Sequence, residues 1–144
     1  AYYPTRRLVG PTNKSPGAAM DIAFTDRELD VMDVLWERGP STVAEVQESL
    51  VDELAYTTVL TMLRTLEEKG HVAHEEAGRA YRYYPLVERS EAGASAVRRL
   101  MRKLFRGSPE MLLTHLVSER GLTKAQLEGM RKLLDERLDR EEPR

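Results

Sequence analysis

The sequence predicts a mainly α protein with one small β-hairpin. Two observations carry this. Helical periodicity recurs from residue 25 to 69 and again from about 89 to 138, and a short stretch between them switches to the period of two expected of strands.

The first 19 residues, with Pro4, Pro11, Pro16, Gly10 and Gly17, hold no sustained period and read as an arm or tag. Thr25 followed by Glu28 makes a capping box, and Leu29, Met32, Leu35 and Trp36 line one face behind it. Gly39 and Pro40 stop that helix. Ser41 or Thr42 opens a second helix, with Glu45 completing a box after Thr42 and with Val43, Val46 and Leu50 as its stripe. A third runs from about Tyr56 to Lys69 and closes at Gly70.

Residues 71–86 then read as a hairpin, with a turn at Glu76-Ala77-Gly78-Arg79 and a second strand holding Tyr81, Tyr83 and Tyr84. Tyr81 and Tyr83 share one strand face and Tyr84 takes the other, so at least one of them packs inward. Three helices followed by a hairpin form a winged helix-turn-helix, expected over residues 20–88.

The remainder, 89–144, is expected to be a helical dimerisation region. Ser90 offers a cap for a helix carrying Val97, Leu100, Met101, Leu104 and Phe105 that ends at Gly107. Ser108 and Pro109 restart helix, with Leu112, Leu113, Leu116 and Val117 as its stripe. Thr123 and Gln126 form a further box ahead of Leu127, Met130, Leu134 and Leu138. Helices of this size bury little alone, since one core in fewer than about 70 residues rarely supplies more than about 5 kcal/mol. A second copy of the chain is the expected partner, through Leu100, Leu104, Leu112, Leu113, Leu116, Leu127, Met130 and Leu134; helices folded back onto the first domain in a monomer are the alternative.

Composition narrows the function. The 144 residues exclude a large multidomain enzyme, and zero cysteine removes disulfides and thiolate chemistry. No apolar run approaches a membrane span and no signal-peptide block follows Arg6 and Arg7, so a cytoplasmic location away from membranes is expected. His71 and His74 stand three apart in the hairpin, which on a strand sends their rings to opposite faces. His115 among Leu113, Leu116 and Val117 suits helix packing. With no glycine-rich phosphate loop and no nucleophile elbow, neither a metal, a cofactor nor an enzyme is expected.

The net charge of −2 hides a segregation: residues 20–55 hold ten acids against Arg27 and Arg38, while 89–106 hold six bases against Glu91. Polyanion binding depends on the local field at the docking face, so the total decides little. On the third helix, advancing about 100° per residue from Val59 places Met62, Leu63 and Leu66 within about 60° of it as the buried stripe. Thr57, Thr61, Arg64 and Glu68 fall opposite, and Leu60 and Thr65 flank them. Small hydroxyls allow close approach to a duplex, their methyls touch thymine, and arginine grips guanine O6 and N7. Tyr56, Thr57, Thr58, Leu60, Thr61 and Arg64 are therefore the candidate DNA-reading residues, with Arg79 and Arg82 of the hairpin reaching adjoining backbone or minor groove. A winged-helix protein–protein adaptor and a small-ligand-sensing repressor of another family are the rival functions.

The stretches TDRELDVMDVLWERGPSTVAEVQ and LAYTTVLTMLRTLEEKGHVAHEEAGRAYRYYPL, and above all Leu54 to Gly70 with the Gly78-Arg79-Ala80-Tyr81 turn, resemble the penicillinase-repressor (BlaI/MecI/CopY) family of bacterial winged-helix repressors. The likeness runs from about residue 22 to 138. It implies a homodimer held by the C-terminal helices that binds a palindromic operator in double-stranded DNA, with the third helix in the major groove and the wing on the backbone. Copper-responsive members use C-terminal cysteine pairs, which this chain lacks. Antibiotic-responsive members are released when a membrane sensor metalloprotease pathway cuts an Asn-Phe bond in the helix before the last. Aligned on Leu104-Phe105, that bond corresponds to His115-Leu116.

Overall fold

The structure, a computed structural model, describes residues 22–141, so the expected N-terminal arm at 1–19 lies outside the described residues. The chain divides into two compact units, with the boundary between Val97 and Arg98.

In the first unit, α1 (Asp26–Arg38) starts on the expected capping box: Thr25 Oγ1 accepts from the Glu28 N–H at 3.1 Å, and Glu28 Oε1 accepts from the Thr25 N–H at 2.8 Å. It ends at Gly39, whose φ of 86° favours a residue without a Cβ. Of the two caps open to the second helix, Thr42 holds the position before α2 (Val43–Ser49), with reciprocal bonds to Glu45 at 3.2 and 3.0 Å. The third helix, α3 (Tyr56–Glu68), follows Ala55.

A strand that sequence periodicity does not reveal precedes α2. It is β1 (Ser41–Thr42), too short to show any alternation, and it pairs antiparallel with β3 (Ala80–Pro85), Ser41 opposite Tyr83 and Thr42 opposite Arg82. On its other edge β3 pairs with β2 (Val72–Ala77), giving the order β1-β3-β2. Ala77 faces Ala80, so Gly78 and Arg79 form a two-residue loop. Gly78 has φ 67° and Arg79 does not share the positive φ, the pattern of a type II′ turn. Both Tyr83 and Tyr84 are buried, one on each face of this strand, while Tyr81 is exposed.

The core of this unit is Val31, Met32, Leu35, Val46, Val59, Leu63, Leu66, Val72 and Tyr83, each nearly inaccessible to solvent. Full burial of each such aliphatic side chain contributes roughly 1.5–3 kcal/mol. A smaller cluster of Ile22, Val87 and Ala92 adjoins it, and Phe24 and Trp36 pack against both.

That second cluster fixes the start of α4 (Arg89–Leu104). Its first hydrogen bond runs from the Ala92 N–H to the Glu88 carbonyl at 3.0 Å, so Ser90, expected as the cap, lies inside the first turn. Ser95 Oγ accepts from the Ile22 N–H at 2.9 Å, and the Trp36 Nε1–H donates to the Val87 carbonyl at 2.8 Å.

The second unit comprises the end of α4, α5 (Pro109–Ser118) and α6 (Lys124–Glu141). Ser108 caps α5 by accepting from the Met111 N–H, with Pro109 in the first turn, and Thr123 and Gln126 exchange the two bonds of a box at the start of α6. The rings of Phe105 and His115 meet edge to face at 5.2 Å. No described residue after Ser95 is buried. Leu104, Leu133 and Leu138 keep 67%, 66% and 64% of their surface exposed.

Candidate nucleic-acid interface

The inner face of α3 holds the helix in place and leaves the outer face to solvent. Val59, Leu63 and Leu66 are fully buried, and Leu60 and Met62 are half-buried against the same core. Thr57, Thr58, Thr61, Arg64 and Glu68 are exposed, and Tyr56 is about half exposed at the first position of the helix. The helical wheel is thus reproduced, with Leu60 turned further toward the core than the candidate residues around it.

A helical wheel does not show how the hydroxyls of this face are used. The Thr61 hydroxyl donates to the Thr57 carbonyl at 2.8 Å, and the Thr65 hydroxyl donates to the Thr61 carbonyl at 2.9 Å. Their protons are spent inside the helix, so Thr61 presents oxygen lone pairs and a methyl group rather than a donor. Spacing alone carries the signal for this: threonines four apart on a helix are placed for such back-bonding.

The N-terminus of α3 also differs from that of its neighbours. Ala55 provides no side-chain cap and the first turn holds no acid, whereas α1 and α2 carry capping boxes with Glu28 and Glu45. The positive end of the α3 dipole is therefore left without a built-in anion.

Charge pairing separates this face from the rest of the unit. Arg27 pairs with Asp52, Arg38 with Glu45, Lys69 with Glu28, and Arg89 with Asp33 and Glu37. Arg64, Arg79 and Arg82 are exposed and make no ion pair among the described residues, even though Arg82 lies across the hairpin from Glu75. Of the lysines and arginines described in the first unit, these three alone keep their charge uncompensated by a direct partner.

The wing is joined to α3 through His74. Its Nδ1 lies 2.5 Å from Glu67 Oε2, and its ring packs at 4.5 Å on Tyr81 and 5.4 Å on Tyr83. Burial, and then the negative charge of Glu67, push the Tyr83 hydroxyl above the usual tyrosine range, so it stays protonated. His71 is not on the strand but just before it, buried against Phe24 at 4.9 Å, so the two histidines are separated by position in the fold and not by strand alternation. Among the described residues no group of three His, Cys, Asp or Glu is placed to hold a metal ion, and no helix is long and apolar enough to cross a membrane.

The residues expected at a dimer contact all lie in the second unit. Leu100, Leu104, Leu116, Leu127 and Leu134 are exposed, and Leu112, Leu113 and Met130 are half-buried. Met111, Val117, Leu133 and Leu138 join them as exposed apolar side chains. His115 and Leu116 are both exposed and lie within α5.

The family model described as penicillinase repressor matches residues 24–136. The transcriptional regulator BlaI of Mycobacterium tuberculosis is 39% identical over 115 residues, covering 77% of this chain and 82% of that protein. The penicillinase repressor of Bacillus licheniformis is 24% identical over 119 residues, covering 81% and 93%. Among solved structures, the DNA-binding domain of the repressor BlaI is similar with a TM-score of 0.44 and 33% identity, over 47% of this chain and 85% of that one.

Proposed function

The chain belongs to the penicillinase-repressor family, a family of transcriptional repressors and not of enzymes, and from that premise we propose that it is a cytoplasmic homodimer that represses transcription by binding a palindromic operator. In this reading residues 20–88 recognise DNA and residues 89–144 hold the two copies together.

The observation that carries the DNA contact is the pairing pattern. Four cations of the first unit are held by carboxylates, and Arg64, Arg79 and Arg82 are not. An unpaired guanidinium can take up a phosphate or a guanine edge without first breaking an ion pair. α3 enters the major groove with Arg64 as base reader and with Thr57, Thr58 and Thr61 at close approach. Thr61, its proton already engaged, contributes a methyl for thymine or an acceptor for an exocyclic amine. Tyr56, at the uncapped helix start, and Leu60 flank that contact, while Arg79 and Arg82 reach the backbone beside it.

Dimerisation is supported by the apolar side chains that one copy leaves exposed in α4, α5 and α6. Two copies related by a two-fold axis would set their α3 helices about 34 Å apart, one turn of duplex. Release follows from cutting His115-Leu116 by a membrane sensor metalloprotease pathway, since the bond is exposed and everything after it, including Leu127, Leu133, Leu134 and Leu138, leaves with the C-terminal fragment.

Selection of bound duplexes from a random pool tests the reading. A palindrome with half-site centres about 10 base pairs apart is expected. Recovery of no preferred sequence, or of an isolated half-site with a monomer on it, would overturn it.

A further inference from the structure

The six bases between residues 89 and 106 are not absorbed by recognition through α3. Arg89 is tied to Asp33 and Glu37, but Arg98, Arg99, Arg102, Lys103 and Arg106 lie past the boundary of the first unit. All five are exposed, no acid occurs between residues 92 and 109, and Arg98, Arg99, Lys103 and Arg106 make no ion pair with a described residue.

Within α4 the four cations from Arg98 to Lys103 fall on one arc of about 140°, opposite Val97, Leu100, Met101 and Leu104. Arg106 follows in the left-handed residue, φ 49°, that closes the helix ahead of Gly107. The helical part of the stripe is about 7.5 Å long at about 1.5 Å per residue. A duplex alongside presents about four phosphate charges over that length, at one per about 1.7 Å. Four of the five side chains are arginine, whose planar fork matches phosphate oxygens in pairs.

We propose that this stripe is a second DNA contact, made to the sugar-phosphate backbone and independent of base sequence; it rests on the reading of α3 as the operator-binding element and adds to it a source of affinity without specificity. A basic amphipathic helix can also serve an anionic lipid surface, but that requires its apolar face to be available. Here Leu100 and Leu104 of that face, exposed in one copy, are the side chains that the proposed dimer covers, and Met101 is half-buried, so in the dimer the apolar side is not free for a lipid surface.

The test neutralises R98Q, R99Q, K103Q and R106Q together in the full chain and compares binding to the selected operator and to a scrambled duplex across salt concentrations. The slope of log affinity against log salt should become shallower by about 0.9 for each phosphate that the variant no longer neutralises, so by up to about 3.6 per protomer. Affinity should fall by the same factor for both duplexes, because backbone contacts carry no sequence information. The charge-preserving variant R98K/R99K/R106K should retain most of the wild-type slope. A Gln variant that sediments as wild type but keeps the full slope overturns the stripe alone. So does a wild-type chain that floats with phosphatidylserine vesicles and loses this in the Gln variant while its DNA slope is unchanged. Failure of the α3 reading shows separately: a T57A/T61A/R64A variant that still distinguishes operator from scrambled duplex.

Discussion

Lys69 Nζ lies 2.9 Å from both carboxylate oxygens of Glu28, tying the residue that follows α3 to the first turn of α1. Glu28 is buried although it is charged, and it also closes the capping box with Thr25. Burial pushes its carboxyl up, but the bonds from Lys69 and Thr25 outweigh that and hold its pKa below the ordinary glutamate value. A folded-state pKa below the unfolded one stabilises fully above the unfolded value and less as pH falls through the folded one. Chemical denaturation of the wild type should therefore lose stability on acidification below about pH 5. Glu28→Gln should be less stable near pH 7 by about 1–2 kcal/mol, and its acid limb should be flatter. Equal acid limbs in both proteins would refute this role for Glu28.

The attachment of α4 depends on Trp36 more than on Arg89. The Arg89 guanidinium sits 5.0 Å over the Trp36 ring and bridges Asp33 and Glu37, but it is half exposed, and pairs of that kind contribute about 1 kcal/mol or less. Arg89→Ala should shift the melting temperature by only a few degrees. Trp36→Phe loses the 2.8 Å bond to the Val87 carbonyl as well as packing against both clusters, and should cost about 1–2 kcal/mol. Equal losses in thermal melts would refute this ranking, and a larger loss for Arg89→Ala would make the ion pair the stronger tie.

Gly78 sets the wing. A Cβ there would meet nothing within 4 Å, so substitution is opposed by the backbone alone, at φ 67°. Gly78→Ala should cost about 1–2 kcal/mol, and Gly78→Asn less, because asparagine visits this region more readily. Urea titration of the two variants measures the difference, and a neutral alanine would mean that the turn is free to change type.

Much of the fold is legible in the sequence because its signals are local. Thr25 and Glu28, Thr42 and Glu45, Ser108 and Pro109, and Thr123 and Gln126 each announce a helix start with residues adjacent in sequence, and all four starts are found. The stripe of Val59, Leu63 and Leu66 is readable because burial follows helical period. What escapes depends on distant pairing. β1 exists only because Ser41 and Thr42 meet Tyr83 and Arg82, some forty residues away. The contrast between paired and unpaired arginines is equally invisible, because Arg27 reaches Asp52, 25 positions on, and Arg89 reaches Asp33, 56 positions back.

Arg64 separates base reading from phosphate clamping. Arg64→Ala leaves the core untouched, since the side chain is exposed and makes no ion pair among the described residues. If it grips a guanine edge, operator affinity should fall by about 1–3 kcal/mol and discrimination at one position of the half-site should vanish. Competition with single-base operator variants measures this. A loss equal for every sequence would make Arg64 a phosphate contact and move base reading to the threonines.

Removing the chain after Gly107 isolates the role of the last two helices. Neither α5 nor α6 buries a single residue completely, so one copy gains little from them, and the first unit keeps its core, since all of its buried residues precede Val97. The truncated chain should thus melt cooperatively, sediment as a monomer and bind operator far more weakly. Two half-sites joined in one dimer gain from effective concentration, commonly a hundredfold or more over a single half-site. Substituting Leu133 and Leu138 by Gln in the full chain should reproduce the monomer without deleting backbone, because both side chains are more than 60% exposed in one copy. A truncated chain that remains dimeric in the ultracentrifuge would place the assembly surface before Ser108, in the first unit or the end of α4, and cutting at His115-Leu116 would then leave the dimer intact.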